Sequence, residues 1–178
     1  KKTVDNDALL LSNIALCLHN LNNNEDASKY FLQSFEIAPD NENICYNYAV
    51  FLYGINEVDK AIDILKKFYY KNRNILIGLN LSKYLSQQNN KLLSIEIAKE
   101  LFENNSNNIN VLINYSEILR INKKYKMAVD LLLNNATQTE SFDYFNELAK
   151  AYYDNNDFIN ASINYNKCLS MDSSNTII

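Results

Sequence analysis

Apolar residues along the 178-residue chain return at intervals of three and four, the period of one face of an α-helix. Five times an apolar or aromatic residue stands directly before a small one. Ile14, Tyr48, Leu81, Tyr115 and Leu148 precede Ala15, Ala49, Ser82, Ser116 and Ala149. Three positions beyond each small residue comes Leu18, Leu52, Leu85, Leu119 or Tyr152. After a polar turn a second small residue follows, at Ala27, Ala61, Ser94, Ala128 and Ala161. Four positions further on stands Phe31, Leu65, Ala98, Leu132 or Tyr165. Both rows of small residues advance by 34, 33, 34 and 33 positions. Two rows with one period predict five copies of a unit that reads helix, short turn, helix, short turn.

The small residues have a physical task. Where two antiparallel helices cross closely, a large side chain would hold them apart, whereas Ala or Ser lets large neighbours interlock around the crossing. The turn between the helices needs a residue in the left-handed conformation, a place for Gly or, failing that, Asn. Asn22, Asn56, Asn89 and Asn156 share that repeat position, and Lys123 alone breaks the set. Pro39, followed by Asp40 and Asn41, ends the second helix of the first unit.

This pattern resembles the tetratricopeptide repeat, a two-helix unit with small residues at its eighth and twentieth positions and Pro near its end. The resemblance covers units 8–41, 42–74, 75–108, 109–141 and 142–175. Its departures are specific. The aromatic often found at the fourth position is Leu11, Cys45, Gly78, Leu112 or Phe145, and the Pro position holds Arg73, Ser106, Glu140 and Ser173 in the later units. The resemblance implies an all-α fold, an α-solenoid with a right-handed superhelical twist, as a single domain over 1–178. Residues 1–7 read as the tail of a preceding unit and Thr176-Ile177-Ile178 as the start of a sixth. A stacked array needs a polar cap at each end, and none is evident, so the chain is expected to be part of a longer array with possible head-to-tail self-association.

Composition narrows the classes. Two Gly and one Pro exclude collagen-like, Gly-rich and turn-dense β folds, and 47% hydrophobic residues exclude a disordered chain. No apolar run reaches the roughly 20 residues of a membrane helix, so no membrane insertion is expected. A net charge of −4 with only short basic clusters, such as Lys66-Lys67 and Lys123-Lys124, points away from nucleic acid. Cys17, Cys45 and Cys168 form no CxxC pair and read as small buried hydrophobes in a reducing, cytoplasmic location.

The inventory for catalysis is thin. His19 is the single histidine, which leaves no His–His metal pair, and Gly54 and Gly78 cannot supply a phosphate loop. The chain is therefore expected not to be an enzyme by itself, and no cofactor or metal is expected.

In the family resembled here, the first helix of each unit lines the concave side of the superhelix, at roughly positions two, five, six, nine and twelve. The sixth position holds Asn13, Asn47, Asn80 and Asn114, then Glu147, in a chain where 31 of 178 residues are Asn. An Asn amide offers a donor and an acceptor together, so such a row suits an extended peptide main chain. The row resembles the groove of protein O-GlcNAc transferase superhelices. Helix packing by the same amides is the competing reading. Tyr46 and Tyr53 offer aromatic contacts in the amino-terminal half of the groove. Lys83, Arg120 and Lys150 offer charge in the other half, beside Glu117, Asp143 and Asp154. Some family members clamp a chaperone's C-terminal carboxylate with Lys, Arg and Asn. Over the first three units those positions hold Ser12, Leu16, Asn47, Leu76 and Asn80, so no clamp is expected. The expected function is a protein–protein interaction scaffold holding a peptide or partner helix in its groove. The alternative is the substrate-recruiting region of a larger enzyme such as a glycosyltransferase.

Overall fold

A computed structural model describes residues 2–136 and 141–173, with side chains described for 7–136 and 141–171. Glu140 and Thr176-Ile177-Ile178, and the side chain of Ser173, lie outside the described residues. Ten α-helices are found among them: α1 Lys2–Asn20, α2 Asn24–Ile37, α3 Glu42–Gly54, α4 Val58–Asn72, α5 Ile75–Gln87, α6 Lys91–Asn104, α7 Ile109–Ile121, α8 Tyr125–Asn134, α9 Phe142–Asp154 and α10 Phe158–Ser173. The chain divides into two compact units, Lys1–Ile77 and Gly78–Ile178. In the first, α1 packs on α2, and both pack on α3, which pairs with α4. In the second, α6 and α8 pack on α7, α9 lies against α7 and α8, and α10 pairs with α9. Within each unit, successive first helices touch, α1 with α3 and α7 with α9, and each of these four touches its own second helix, the packing rule of stacked helical repeats.

Both rows of small residues mark the crossings. Ala15, Ala49, Ser82, Ser116 and Ala149 are all 0% exposed, as are Ala27, Ala61, Ser94 and Ala128, with Ala161 at 1%. Large side chains close around them. In the first unit Ala15, Ala27, Phe31 and Phe51 form one core cluster, with the Phe31 and Phe51 rings 4.7 Å apart. In the second, Leu112, Ile118, Leu119, Val129, Leu132 and Leu148 surround Ala98, Ala128 and Ala151.

The turns inside the units share one geometry. Asn22, Asn56, Asn89 and Asn156 all have positive φ, at 61°, 67°, 60° and 61°, and so does Lys123, at 60°. The residue after each donates its N–H five positions back, to the carbonyls of Leu18, Leu52, Leu85, Leu119 and Tyr152. The left-handed residue itself bonds three positions back. This pair of bonds is the Schellman closure of a helix. Lys at φ 60° carries the Cβ clash that Gly avoids.

Asparagine has a second task between the units. Asn41 Oδ1 accepts the N–H of Asn43 and of Ile44 at the start of α3. Asn74 Oδ1 accepts that of Ile77 in α5, and Asn108 Oδ1 those of Asn110 and Val111 in α7. Ser141 Oγ does the same for α9 through Tyr144. The four caps recur every 33 or 34 residues, and each satisfies donors that a helix start leaves open.

Two expectations need correction. Residues 2–7 belong to α1, which runs unbroken from Lys2 to Asn20 with no Gly or Pro to stop it, so they do not form the tail of another unit. Cys17 is exposed, whereas Cys45 and Cys168 are buried. It shares a stripe of α1 with Leu10 and Ile14, which are 60% and 43% exposed because no described helix covers that face. Tyr165 of α10 is 38% exposed for the same reason. The two buried thiols bond to carbonyls, Cys45 to Pro39 and Cys168 to Phe142. Burial pushes the Cys45 thiol up to about 12, so it is unreactive at neutral pH.

Replacing Lys123 by Gly is expected to stabilise the protein by about 1 kcal/mol, because it relieves a left-handed side chain that the other four turns assign to Asn. A urea midpoint that falls or stays put would contradict that account of the turn. Asn108→Ala is expected to cost about 1 kcal/mol through loss of the α7 cap, read as a lower melting temperature. A matched change at the exposed Ser106, Ser106→Ala, serves as the reference.

Candidate functional site

Two cavities of similar size open on the surface. One, of about 450 Å³, lies between α1 and α2, lined by Ile14, Leu18, Asp26, Lys29, Tyr30 and Gln33. Its charges are already matched, since Lys29 Nζ lies 2.9 Å from Asp26 and 3.1 Å from Glu25. The other, of about 420 Å³, lies in the second unit between the first helices α7 and α9. Asn110, Ile113, Glu117 and Arg120 line it from α7, and Asp143, Asn146, Glu147 and Lys150 from α9, with Ile121 at one end. These are positions two, five, nine and twelve of one repeat and two, five, six and nine of the next. The second cavity is the candidate site.

An ion-pair network supports its wall. Arg120 donates from Nη1 to both carboxylate oxygens of Glu147 at 3.0 Å and from Nε to Asp154 at 2.8 Å. Ser116 Oγ adds a bond to Glu147 at 3.0 Å. The Glu147 side chain is 5% exposed and that of Arg120 17%. Burial holds the Glu147 carboxyl above the ordinary glutamate range, and Arg120 and Ser116 pull it only part of the way back. Beside this network, Glu117 is paired with Lys83 at 3.3 Å. Asp143 and Lys150 line the same cavity, are exposed, and make no ion pair among the described residues.

The expected site residues are distributed differently from the proposed row. Asn114 is buried. Its Nδ2 donates to the Leu79 carbonyl at 3.3 Å, and its Oδ1 accepts from Ser82 Oγ at 3.1 Å. Asn47 is half-buried and donates to Ser12 Oγ at 3.4 Å. Both amides therefore hold neighbouring first helices together. Asn80 is half-buried on α5, Asn13 lies exposed on α1, and Tyr46 and Tyr53 are half-buried on α3. Arg120, expected as a partner-contacting anchor, is committed to Glu147 and Asp154, because a buried carboxylate in the Asn row needs a cation. Lys83 reaches the cavity only through Glu117. Of the expected residues, Arg120 and Lys150 line the cavity together. Asn110, Ile113, Ile121 and Asn146 were missed, although all but Ile121 stand at the repeat positions assigned to the groove. His19 is structural: its Nδ1 lies 2.7 Å from Asn24 Oδ1 and its ring stands edge-on to Phe51 at 5.3 Å.

No helix among the described residues is long and apolar enough to cross a membrane, and no group of three or more His, Cys, Asp or Glu there could hold a metal ion.

The fold and this stacking define a tetratricopeptide-repeat protein. Residues 8–41 match the tetratricopeptide repeat itself. Residues 45–176, well over half the chain, match the family described as ChAPs (Chs5p-Arf1p-binding proteins), and the chain belongs to that family. Solved structures share the fold at low identity. MamA from Desulfovibrio magneticus RS-1 is 12% identical with a TM-score of 0.73, over 96% of this chain and 97% of that one. A tetratricopeptide repeat protein from Parabacteroides merdae ATCC 43184 is 13% identical with a TM-score of 0.80, over 92% of this chain and 64% of that one. A thermophilic TPR protein of Thermus thermophilus is 15% identical with a TM-score of 0.71, over 92% of this chain and 90% of that one. Among curated proteins no sequence match was found.

Removing Arg120 leaves Glu147 buried without its cation. Arg120→Ala is expected to cost about 3 kcal/mol at pH 8. The sign with pH follows from the raised carboxyl. The folded protein binds the Glu147 proton more tightly than the unfolded chain. Stability from this group therefore grows as pH falls from its folded pKa towards the ordinary 4.5 and is lost as pH rises through that window. The loss in Arg120→Ala should accordingly be smaller at pH 5 than at pH 8 in urea unfolding. An equal loss at both values would mean that Glu147 is not the group left unpaired.

Proposed function

We propose that this chain is a protein–protein interaction scaffold, and that the groove between α7 and α9 holds an extended segment of its partner. The observation that carries this reading is the cavity itself. Eight groove-facing repeat positions on two successive first helices converge on one space of about 420 Å³. Its lining combines apolar side chains, Ile113 and Ile121, with amides at Asn110 and Asn146 that can pair with peptide N–H and C=O groups. The buried Asn114 acts behind this surface, fixing the spacing of α5 and α7. The family's name supplies the partner class: ChAPs are described as binding Chs5p and Arf1p, and the partners proposed here are the counterparts of those two proteins.

The test uses purified counterparts of Chs5p and Arf1p and the 178-residue chain. Ile113→Lys places a charge on the half-buried floor of the groove. It is expected to weaken binding of at least one partner by tenfold or more, measured by calorimetry, while helicity by circular dichroism is retained. Lys29→Glu, in the other cavity, is the control and should bind as the parent does. Undiminished binding by Ile113→Lys would remove the groove from this reading.

A further inference from the structure

The charges around the α7–α9 groove sort into two sets. Arg120, Glu147 and Asp154 satisfy one another, and Glu117 is held by Lys83. Asp143 and Lys150 are left, one acid and one base, both exposed and both facing the cavity. They stand seven positions apart on α9, two turns of one face, which sets them about 10 Å apart along the helix. The cavity is elongated in that direction, since its α7 lining runs from Asn110 to Ile121.

From this placement we propose that the groove selects an extended partner segment carrying one basic and one acidic residue three positions apart, the basic residue against Asp143 and the acidic one against Lys150. An extended chain of the polyproline type repeats its face every three residues and rises about 3.1 Å per residue, so such a pair spans about 9 Å and points to one side. A fully extended strand would turn the same two residues to opposite sides. Ile113 and Ile121 then meet an apolar residue between them. The spent charges make this discrimination possible: with Arg120 neutralised by Glu147 and Asp154, and Glu117 by Lys83, Asp143 and Lys150 are the charges without an ion pair among the described residues that line the cavity. Like charges set opposite one another cost affinity, so segments with two basic or two acidic residues at these places are disfavoured. This inference rests on the groove reading above.

Three synthetic peptides serve as probes, with cores Lys-Leu-Pro-Glu, Lys-Leu-Pro-Lys and Glu-Leu-Pro-Glu, titrated by fluorescence anisotropy at low salt into the whole chain. The parent should prefer the mixed-charge peptide by roughly three- to tenfold, a margin that shrinks in about 0.5 M salt. Asp143→Lys should shift the preference to the two-acid peptide and Lys150→Glu to the two-base peptide. Both positions are exposed, and unchanged melting curves confirm that these variants fold. Because each variant pairs with a symmetric peptide, the readout does not depend on the direction in which the peptide lies. If the peptides bind the parent with equal affinity, or the variants do not exchange preference, the charge rule is wrong while the groove stands. If none of the three binds the parent while Ile113→Lys still disrupts partner binding, this charge rule is again wrong. If none binds and Ile113→Lys is silent, the groove reading falls with it.

Discussion

Every repeat of this protein brings its helices together at a side chain no larger than a methyl or a hydroxymethyl group. Ten such positions, all at 0% or 1% exposure, leave no room for a larger residue without moving a helix. That constraint fixes how near the helices lie, and the near approach does the rest. It presses Phe31 against Phe51 in the first unit, gathers Leu112, Leu119, Leu132 and Leu148 in the second, and lets Asn114 on α7 reach the Leu79 carbonyl on α5. Where the residue is Ser rather than Ala, its hydroxyl is used. Ser82 donates to Asn114 and Ser116 to Glu147, so the crossing residue also becomes a partner for the next helix.

How much of this could be read in the sequence depends on the range of the interaction. The period, the crossings and the left-handed turns are local patterns repeated five times, and they were legible to the residue. Lys123 adopts φ 60° although nothing in its chemistry favours it, because the turn is imposed by the helices on either side. The caps were half legible. Asn41 was visible as a polar residue after Pro39, but Asn74 and Asn108 were not singled out, because a cap is defined by where an oxygen meets the N–H groups of a helix start, which composition does not state. Least legible were the side-chain pairings between repeats. Arg120 reaches Glu147 across 27 residues and Asp154 across 34, and only the approach of α7 to α9 decides that these charges neutralise each other instead of facing a ligand.

The asparagine row shows the same limit from the other side. A regular row of amides is compatible with holding a peptide and with holding a helix, because the chemistry of the amide is identical in both uses. What separates them is burial. At 8% exposure, Asn114 has little surface left for a ligand once it has bonded to Ser82 and the Leu79 carbonyl. The neighbouring positions, Asn110 and Asn146, open into the cavity, the first of them one turn away on the same helix. A shift of four residues along a helix therefore separates an amide that builds the scaffold from one that faces its contents.

The change from Asn to Glu at the fifth place in that row alters what the cavity can recognise. A neutral amide at position 147 would need no counter-ion, and Arg120 would keep Asp154 as its carboxylate partner. A buried carboxylate there cannot remain unpaired at neutral pH without a large desolvation cost, so it draws Arg120 down onto the wall, and Asp154 takes the remaining face of the guanidinium. The cavity wall thereby holds a neutralised guanidinium, and the exposed charges that line it are Asp143 and Lys150. In the proposed reading, charge recognition thereby rests on a spacing and not on a single point, and a spacing of two helical turns suits a ligand whose own charges are held apart by an extended backbone.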